Sequence, residues 1–188
     1  MKIAIAFCVY GTQPKYLKGL TQNLRLIRDL VAPELGHHNL HTYIFVGNDV
    51  PDSYVETYRG FANTHIIHVA YKGPALMFER IRAIASDDNV NDICFSRDID
   101  SRIGARDIWA MKQFIESGAE TGFHIIRDHH YHRMRIMGGT FGVKRDCFVS
   151  DDLNISTEID RYISQKGGVE CIGYGADEDF LQLSLIHI

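Results

Sequence analysis

Apolar and polar positions along the chain switch repeatedly between the period of a strand and the period of a helix. Lys2 to Val9 is a short apolar run that stops at Tyr10-Gly11. A run of that length, closed by a turn signal, predicts a central strand buried on both faces of a parallel sheet. Thr12 is placed to cap a helix with Pro14 in its first turn. Leu17, Leu20, Leu24, Ile27 and Val31 then recur at helical spacing and form one apolar stripe. Tyr43 to Val46 predicts a second strand, closed by Gly47-Asn48-Asp49. A short helix over 53–61 and a third strand over 66–70 follow. The stretch 74–86 predicts a helix with Leu76, Ile81 and Ile84 inward and Arg80 and Arg82 beside them. Residues 92–100 form a strand that begins apolar and ends acidic. Ile108, Met111 and Ile115 mark a helix ended by Gly118, and 121–126 is the next strand. Ile155, Ile159 and Ile163 give a late helix that stops at Gly167-Gly168. Strands alternating with helices predict an α/β fold, a mostly parallel central sheet flanked by helices.

The length of 188 residues suits one domain with a single sizeable core. A net charge of -4, with no basic tract, argues against a nucleic-acid partner. Cys8, Cys94, Cys147 and Cys171 are scattered without a Cys-x-x-Cys pair, which fits reduced thiols better than a disulfide framework. The N-terminal apolar run has no cleavage site behind it, and no stretch reaches the ~20 apolar residues of a membrane helix. A cytoplasmic protein with no membrane segment is the expectation. The last six residues, Leu183-Ser184-Leu185-Ile186-His187-Ile188, match the in-frame translation of a transposase adapter used in sequencing libraries. The expected organisation is therefore a catalytic domain over 1–182, truncated at its C-terminus, and an adapter-derived tail over 183–188.

Chemistry concentrates at Asp98-Ile99-Asp100. Residues two apart in a strand point to one side, so both carboxylates would project from the carboxyl end while Ile99 faces the core. Open α/β sheets bind ligands at that end. Two hard oxygen ligands there suit Mn²⁺ or Mg²⁺ completed by substrate phosphates. Taken alone, such a pair is equally a solvated strand end. Its surroundings add weight: Arg97 to Arg102 read Arg-Asp-Ile-Asp-Ser-Arg, followed by Arg127-Asp128-His129-His130-Tyr131-His132 and then by Ile136-Met137-Gly138-Gly139-Thr140-Phe141-Gly142-Val143-Lys144.

Together these segments resemble a family of GT-A-like DxD glycosyltransferases of bacteria and large DNA viruses, whose pattern runs RDxDSR, RDHPxH and a GGMWGxK-like segment. Tyr174 to Leu181 resembles the family's YGxDQxFL. Here His130 replaces a proline, Thr140-Phe141 replaces Met-Trp and Glu178 replaces glutamine, changes on the acceptor side. The resemblance implies a metal-dependent enzyme that moves a sugar from a nucleotide-diphosphate donor to a glycan or other hydroxyl acceptor. It implies Asp100 as principal metal ligand, with Asp98 reaching the metal or the ribose. Tyr10, Gly11 and Thr12 would seat the nucleotide, and Arg80 would meet the diphosphate. Arg97 would orient the aspartates or a phosphate. Asp128 and His129 would hydrogen-bond substrate, and Gly138-Gly139 would let backbone approach the sugar. The cluster Asp177, Glu178 and Asp179 would supply a base, with Asp179 favoured over Glu178. Its plain alternative is an acidic helix start. His124, His129, His130 and His132 invite a zinc site, but with no thiol nearby they read better as hydrogen-bonding groups. Two rivals remain: a nucleotidyltransferase, which would want a glycine-rich, lysine-bearing phosphate loop after the first strand, and an inactive nucleotide-sugar or glycan-binding module.

Overall fold

A computed structural model describes residues 1–85, 91–118, 121–127, 130, 134–145 and 155–184. The first apolar run becomes β1 (Ile3–Val9), buried at every position. It is joined in one sheet by β2 (Leu40–Val46), β3 (Thr64–His68), β4 (Ile93–Arg97), β5 (Phe123–Ile125) and β6 (Thr140–Lys144), in the order β3-β2-β1-β4-β6-β5. The first four strands of that order are parallel. β6 runs antiparallel to both β4 and β5.

β1 sorts its side chains by size. Ile3, Ile5, Phe7 and Val9 enter a core with α1 (Pro14–Leu26), α3 (Asp52–Arg59) and α5 (Ala105–Glu116). α1 continues through a π turn (Ile27–Val31) into α2 (Ala32–Leu35). The predicted stripe holds: Leu17, Leu20, Leu24, Ile27 and Val31 are all buried. Each such side chain contributes about 1.5–3 kcal/mol on leaving water. Ala4, Ala6 and Cys8 face the other way, toward α4 (Met77–Ala85), α6 (Ile155–Gln165) and α7 (Ala176–Ser184). Their small volume lets α4 lie close to the sheet, and a polar side chain of α4 is buried there as a result.

Four expectations change. Strand β4 stops at Arg97, so Asp98 to Ser101 form a bend and not a strand end. Thr12 is exposed and does not cap α1; Gln13 holds the cap position without a side-chain bond, and Pro14 supplies the pre-set first turn. The third strand lies two residues earlier than predicted, at Thr64–His68. β6 occupies a segment whose glycines masked its strand character. Gly142 sits opposite Phe95, and a Cβ there would lie 2.5 Å from the Phe95 ring. Among the described residues, no helix is long and apolar enough to cross a membrane. Cys8 and Cys94 are buried thiols and Cys171 is exposed. Burial pushes the Cys8 pKa up to about 11, so that thiol is inert. Cys147 and residues 185–188 lie outside the described residues.

The chain leaves β1 for β2 and β3 on one side, then returns to β4 on the other. The order therefore reverses between β1 and β4, and their carboxyl ends open a crevice of the kind where α/β sheets bind ligands.

Candidate active site

Two loops flank that crevice. Tyr10, Gly11 and Thr12 leave β1, with Gly11 at φ +77°, a conformation glycine adopts without strain. The Gly11 N–H donates to Asp49 Oδ1 at 2.9 Å, tying the loop to the turn after β2. Asp98, Ile99 and Asp100 leave β4, and α1 fixes their bend. Asn23 is fully buried. Its Nδ2 donates to the carbonyls of Asp98 (3.2 Å) and Ser101 (2.8 Å), and its Oδ1 accepts the Ile103 N–H (3.2 Å). Arg102 Nη1 donates to the carbonyls of Gly19 (2.9 Å) and Ile99 (2.7 Å). A Cβ on Gly19 would lie 2.4 Å from the Ile99 carbonyl oxygen, so the close approach needs glycine. Ile99 packs on the core, as expected. The two carboxylates project through this clamp and not through strand alternation.

Behind Asp98 stands Arg80, the buried polar side chain of α4. Its side chain is 3% exposed. Nη1 donates to Asp98 Oδ1 (2.8 Å) and to the Arg97 carbonyl (3.3 Å), while Nη2 donates to Asp177 Oδ2 (3.1 Å). Burial works against its charge, but Cys8, Asp98 and Asp177 outweigh burial and hold its pKa above the ordinary arginine value. Asp177 is equally buried. Removing one partner from such a pair typically costs about 3–5 kcal/mol, because the other charge is left uncompensated. Gly138 and Gly139 close over the pair. A Cβ on Gly138 would meet Asp177 Oδ2 at 2.1 Å, and one on Gly139 would meet Asp98 Cγ at 1.9 Å. Ser96 holds this turn in place by donating to the Gly138 carbonyl. Glu178, half-buried on the first turn of α7, has its carboxyl pKa raised by burial and by Asp177 and Asp98, against the opposing Gly138 N–H bond and Arg80.

At the rim, Lys15 pairs with Asp100 at 3.3 Å, both side chains partly in water. Tyr10 is half-buried, its pKa pushed up to about 12 by burial and then by Cys8, Tyr174 and Asp177.

Arg80, Asp98, Gly138, Gly139 and Glu178 thus meet, with Tyr10, Gly11 and Asp100 around them. Arg80 reaches Asp98 from behind, and its two Nη atoms are held by the carboxylates of Asp98 and Asp177. Arg97 does not lie with the aspartates. It follows Ser96 and precedes Asp98, so strand alternation sends it to the opposite face with Phe95, over whose ring it lies (5.5 Å). There it bonds the Phe141 carbonyl (3.2 Å) and His124 Nε2 (3.2 Å). Burial, then Arg97, lowers the His124 pKa to about 4, so this ring stays neutral and structural. Asp179 is exposed, and no hydrogen bond or ion pair among the described residues ties it to the site. Asp128, His129 and His132 lie outside the described residues. Asn23, Gly19, Asp49, Ser96 and Lys15 were not anticipated. Asn23 had a legible signal, standing three after Leu20 and four before Ile27 on the apolar stripe; Gly19, inside a helix, was another.

No group of three or more metal-ligating side chains occurs among the described residues. The carboxylates of the bend are Asp98 and Asp100. Magnesium-type cations are commonly held by one or two carboxylates and completed by phosphate oxygens. The chemistry of the pair fits such a cation arriving with a diphosphate.

No known sequence family matches the chain, and no curated protein sequence matches it either. Among solved structures, the apo form of the glycosyltransferase GlyE of Streptococcus pneumoniae TIGR4 superposes over 97% of this chain at 14% identity, with a TM-score of 0.54. TarS 1–349 of S. aureus, in complex with UDP-GlcNAc, covers 62% of the chain at 17% identity and a TM-score of 0.42. The chain spans 43% of the GlyE chain and 31% of the TarS chain. The architecture is the GT-A-type α/β fold of glycosyltransferases.

Proposed function

We propose that the chain is the donor-binding part of a metal-dependent glycosyltransferase that moves a sugar from a nucleotide-diphosphate donor to a hydroxyl acceptor. One observation carries this reading: the Asp98–Asp100 bend is held at the β1/β4 switch point by Asn23, Arg80 and Gly139. In this reading Asp98 and Asp100 hold Mn²⁺ or Mg²⁺, which supplies charge stabilisation to the departing diphosphate. Tyr10 and Gly11 line the nucleotide side. Gly138 and Gly139 leave room for the sugar beside Asp98. Arg80 keeps Asp98 in one orientation. In the transfer the bond between the sugar's anomeric carbon and the diphosphate oxygen breaks, and a bond to the acceptor oxygen forms. The acceptor proton passes to a carboxylate. Glu178 is better placed for that than Asp179, because it is half-buried beside Gly138 and Asp98. A raised pKa makes its carboxylate a stronger base than an ordinary glutamate once ionised.

The test is release of nucleoside diphosphate from a panel of UDP- and GDP-sugars with Mn²⁺, on the parent and on Asp98→Asn. The expected result is metal-dependent release that falls at least about a hundredfold in the variant. Release of pyrophosphate from a sugar phosphate and a nucleoside triphosphate would instead identify a nucleotidyltransferase.

A further inference from the structure

A cavity of about 270 Å³ lies at the other end of the sheet. Leu40 and Thr42, early in β2, and Thr64, the first residue of β3, line it. Both strands run parallel to β1 and β4, so the cavity stands at their amino ends, opposite the carboxylates that follow β4. Its floor is apolar, made by the buried side chains of Leu24, Ile27 and Leu40, and the half-buried Phe61 ring forms a wall. The loops at its mouth are tied together. Asn63, at φ +54°, donates from Nδ2 to the His37 carbonyl (2.8 Å), and its own carbonyl accepts the Thr42 N–H (2.9 Å).

Thr42 is 3% exposed, yet its hydroxyl has no hydrogen-bond partner among the described residues. Its register neighbour Thr64 does have one, the Ala62 carbonyl (3.4 Å). Buried polar groups are partnered as a rule, so a buried hydroxyl left open on a cavity marks where an occupant completes it. The helix above points the same way. The π turn that begins at Ile27 carries Ile27 and Arg28 onto the cavity; such turns are rare and frequent at functional sites. The volume exceeds the roughly 150 Å³ of an apolar hollow that holds one benzene. It falls just short of the ~300–1,000 Å³ of pockets for larger ligands.

We infer that this cavity is a second ligand site, which takes a compact uncharged molecule with an apolar ring and one hydroxyl. The floor and Phe61 cover the ring, and Thr42 exchanges a hydrogen bond with the hydroxyl. Charge at the mouth is already neutralised. Arg28 lies over the Phe61 ring (5.9 Å) and donates from Nε and Nη2 to the two oxygens of Asp29 (2.6 and 2.9 Å). An anion buried on the apolar floor loses far more hydration than a hydroxyl does. The inference is independent of the transferase reading, because the cavity shares no residue with the carboxylate site.

The experiment is NMR titration of the whole chain, read on its amide resonances, with para-propylphenol, propylbenzene and para-propylbenzoate. Propylphenol is expected to shift the amides of Leu24, Ile27, Thr42 and Phe61 saturably and to bind more tightly than the benzoate. Thr42→Val should weaken propylphenol about fivefold to tenfold and leave propylbenzene within about twofold of the parent. That variant should melt no lower than the parent, because the hydroxyl it removes has no bond to lose. Ala62→Phe, a change at an exposed wall position, fills the mouth and should abolish propylphenol binding even if Thr42→Val does not fold. The inference is overturned by no saturable shift in the parent, by shifts that spare those four residues, or by tighter binding of the benzoate. Propylphenol and propylbenzene responding alike to Thr42→Val, or propylphenol binding intact in Ala62→Phe, overturns it too.

Discussion

Replacing Asn23 with alanine removes the three hydrogen bonds that hold the acidic bend, two donated by Nδ2 and one accepted by Oδ1. Each is worth about 1 kcal/mol net, and the backbone groups left behind are largely shielded from water, so a loss of about 3 kcal/mol is expected. In a chain of this size that corresponds to a melting temperature lower by about 6–12 °C. Asn23→Asp is the sharper probe, since it keeps the acceptor for Ile103 but loses both donors and aims a carboxylate at the carbonyls of Asp98 and Ser101. It should melt at least as low as Asn23→Ala. Tyr58→Phe is the control: it also loses a buried bond to α1, from Tyr58 to the Leu17 carbonyl (3.0 Å), but away from the bend. Thermal melts give the stability loss, and calorimetry with a nucleotide sugar and Mn²⁺ gives the functional one. Both Asn23 variants should lose at least about tenfold in affinity, and Tyr58→Phe should lose stability alone. If Asn23→Asp bound the donor as the parent does, the clamp from α1 would not be what sets the carboxylates.

Gly139→Ala should abolish donor binding, because its Cβ would occupy space 1.9 Å from Asp98 Cγ; calorimetry on a chain with a native circular-dichroism spectrum checks this. Gly19→Ala sets about 1 kcal/mol of helix propensity against a Cβ 2.4 Å from the Ile99 carbonyl oxygen. The clash with backbone should win, so the variant melts lower than the parent. Glu178 has a folded pKa above its ordinary value of 4.5, so its contribution to stability is present below about that pH and lost as pH rises through the raised pKa. Glu178→Gln, free of that burden, should therefore melt higher than the parent at pH 7, with the gap closing toward pH 4.5; a gap that widens on acidification contradicts the shift. As a base, Glu178 must be ionised, so the acid limb of transfer should lie above the ordinary glutamate range.

The layers of the fold were legible because burial imposes periodicity. β1 had no polar interruption between Ile3 and Val9, and the α1 stripe ran unbroken to Val31. β6 was obscured because Gly142 reads as a strand breaker until Phe95 is known to cover it. Within the site, Asp98 and Asp100 stood out by charge at the end of an apolar run. What held them did not, because a clamp joins residues far apart in sequence. Asn23 and Asp98 are 75 positions apart, and Arg80 and Asp177 are 97 apart. Arg97 was misread although the information was present: in the strand expected over 92–100, alternation puts Arg97 on the side of Ile99, away from both aspartates. The acidic triplet divides by helical geometry, with Asp177 turned to the core, Glu178 to the site and Asp179 to solvent.

The most direct test of the central claim is calorimetric titration of UDP- and GDP-sugars into the parent chain and into Asp100→Asn, each with and without Mn²⁺. The account predicts that the parent binds at least one of these donors, that Mn²⁺ tightens the binding by at least about tenfold, and that the variant loses the response to the metal. A parent that binds no nucleotide sugar, or an Asp100→Asn variant that keeps the full metal response, would contradict it.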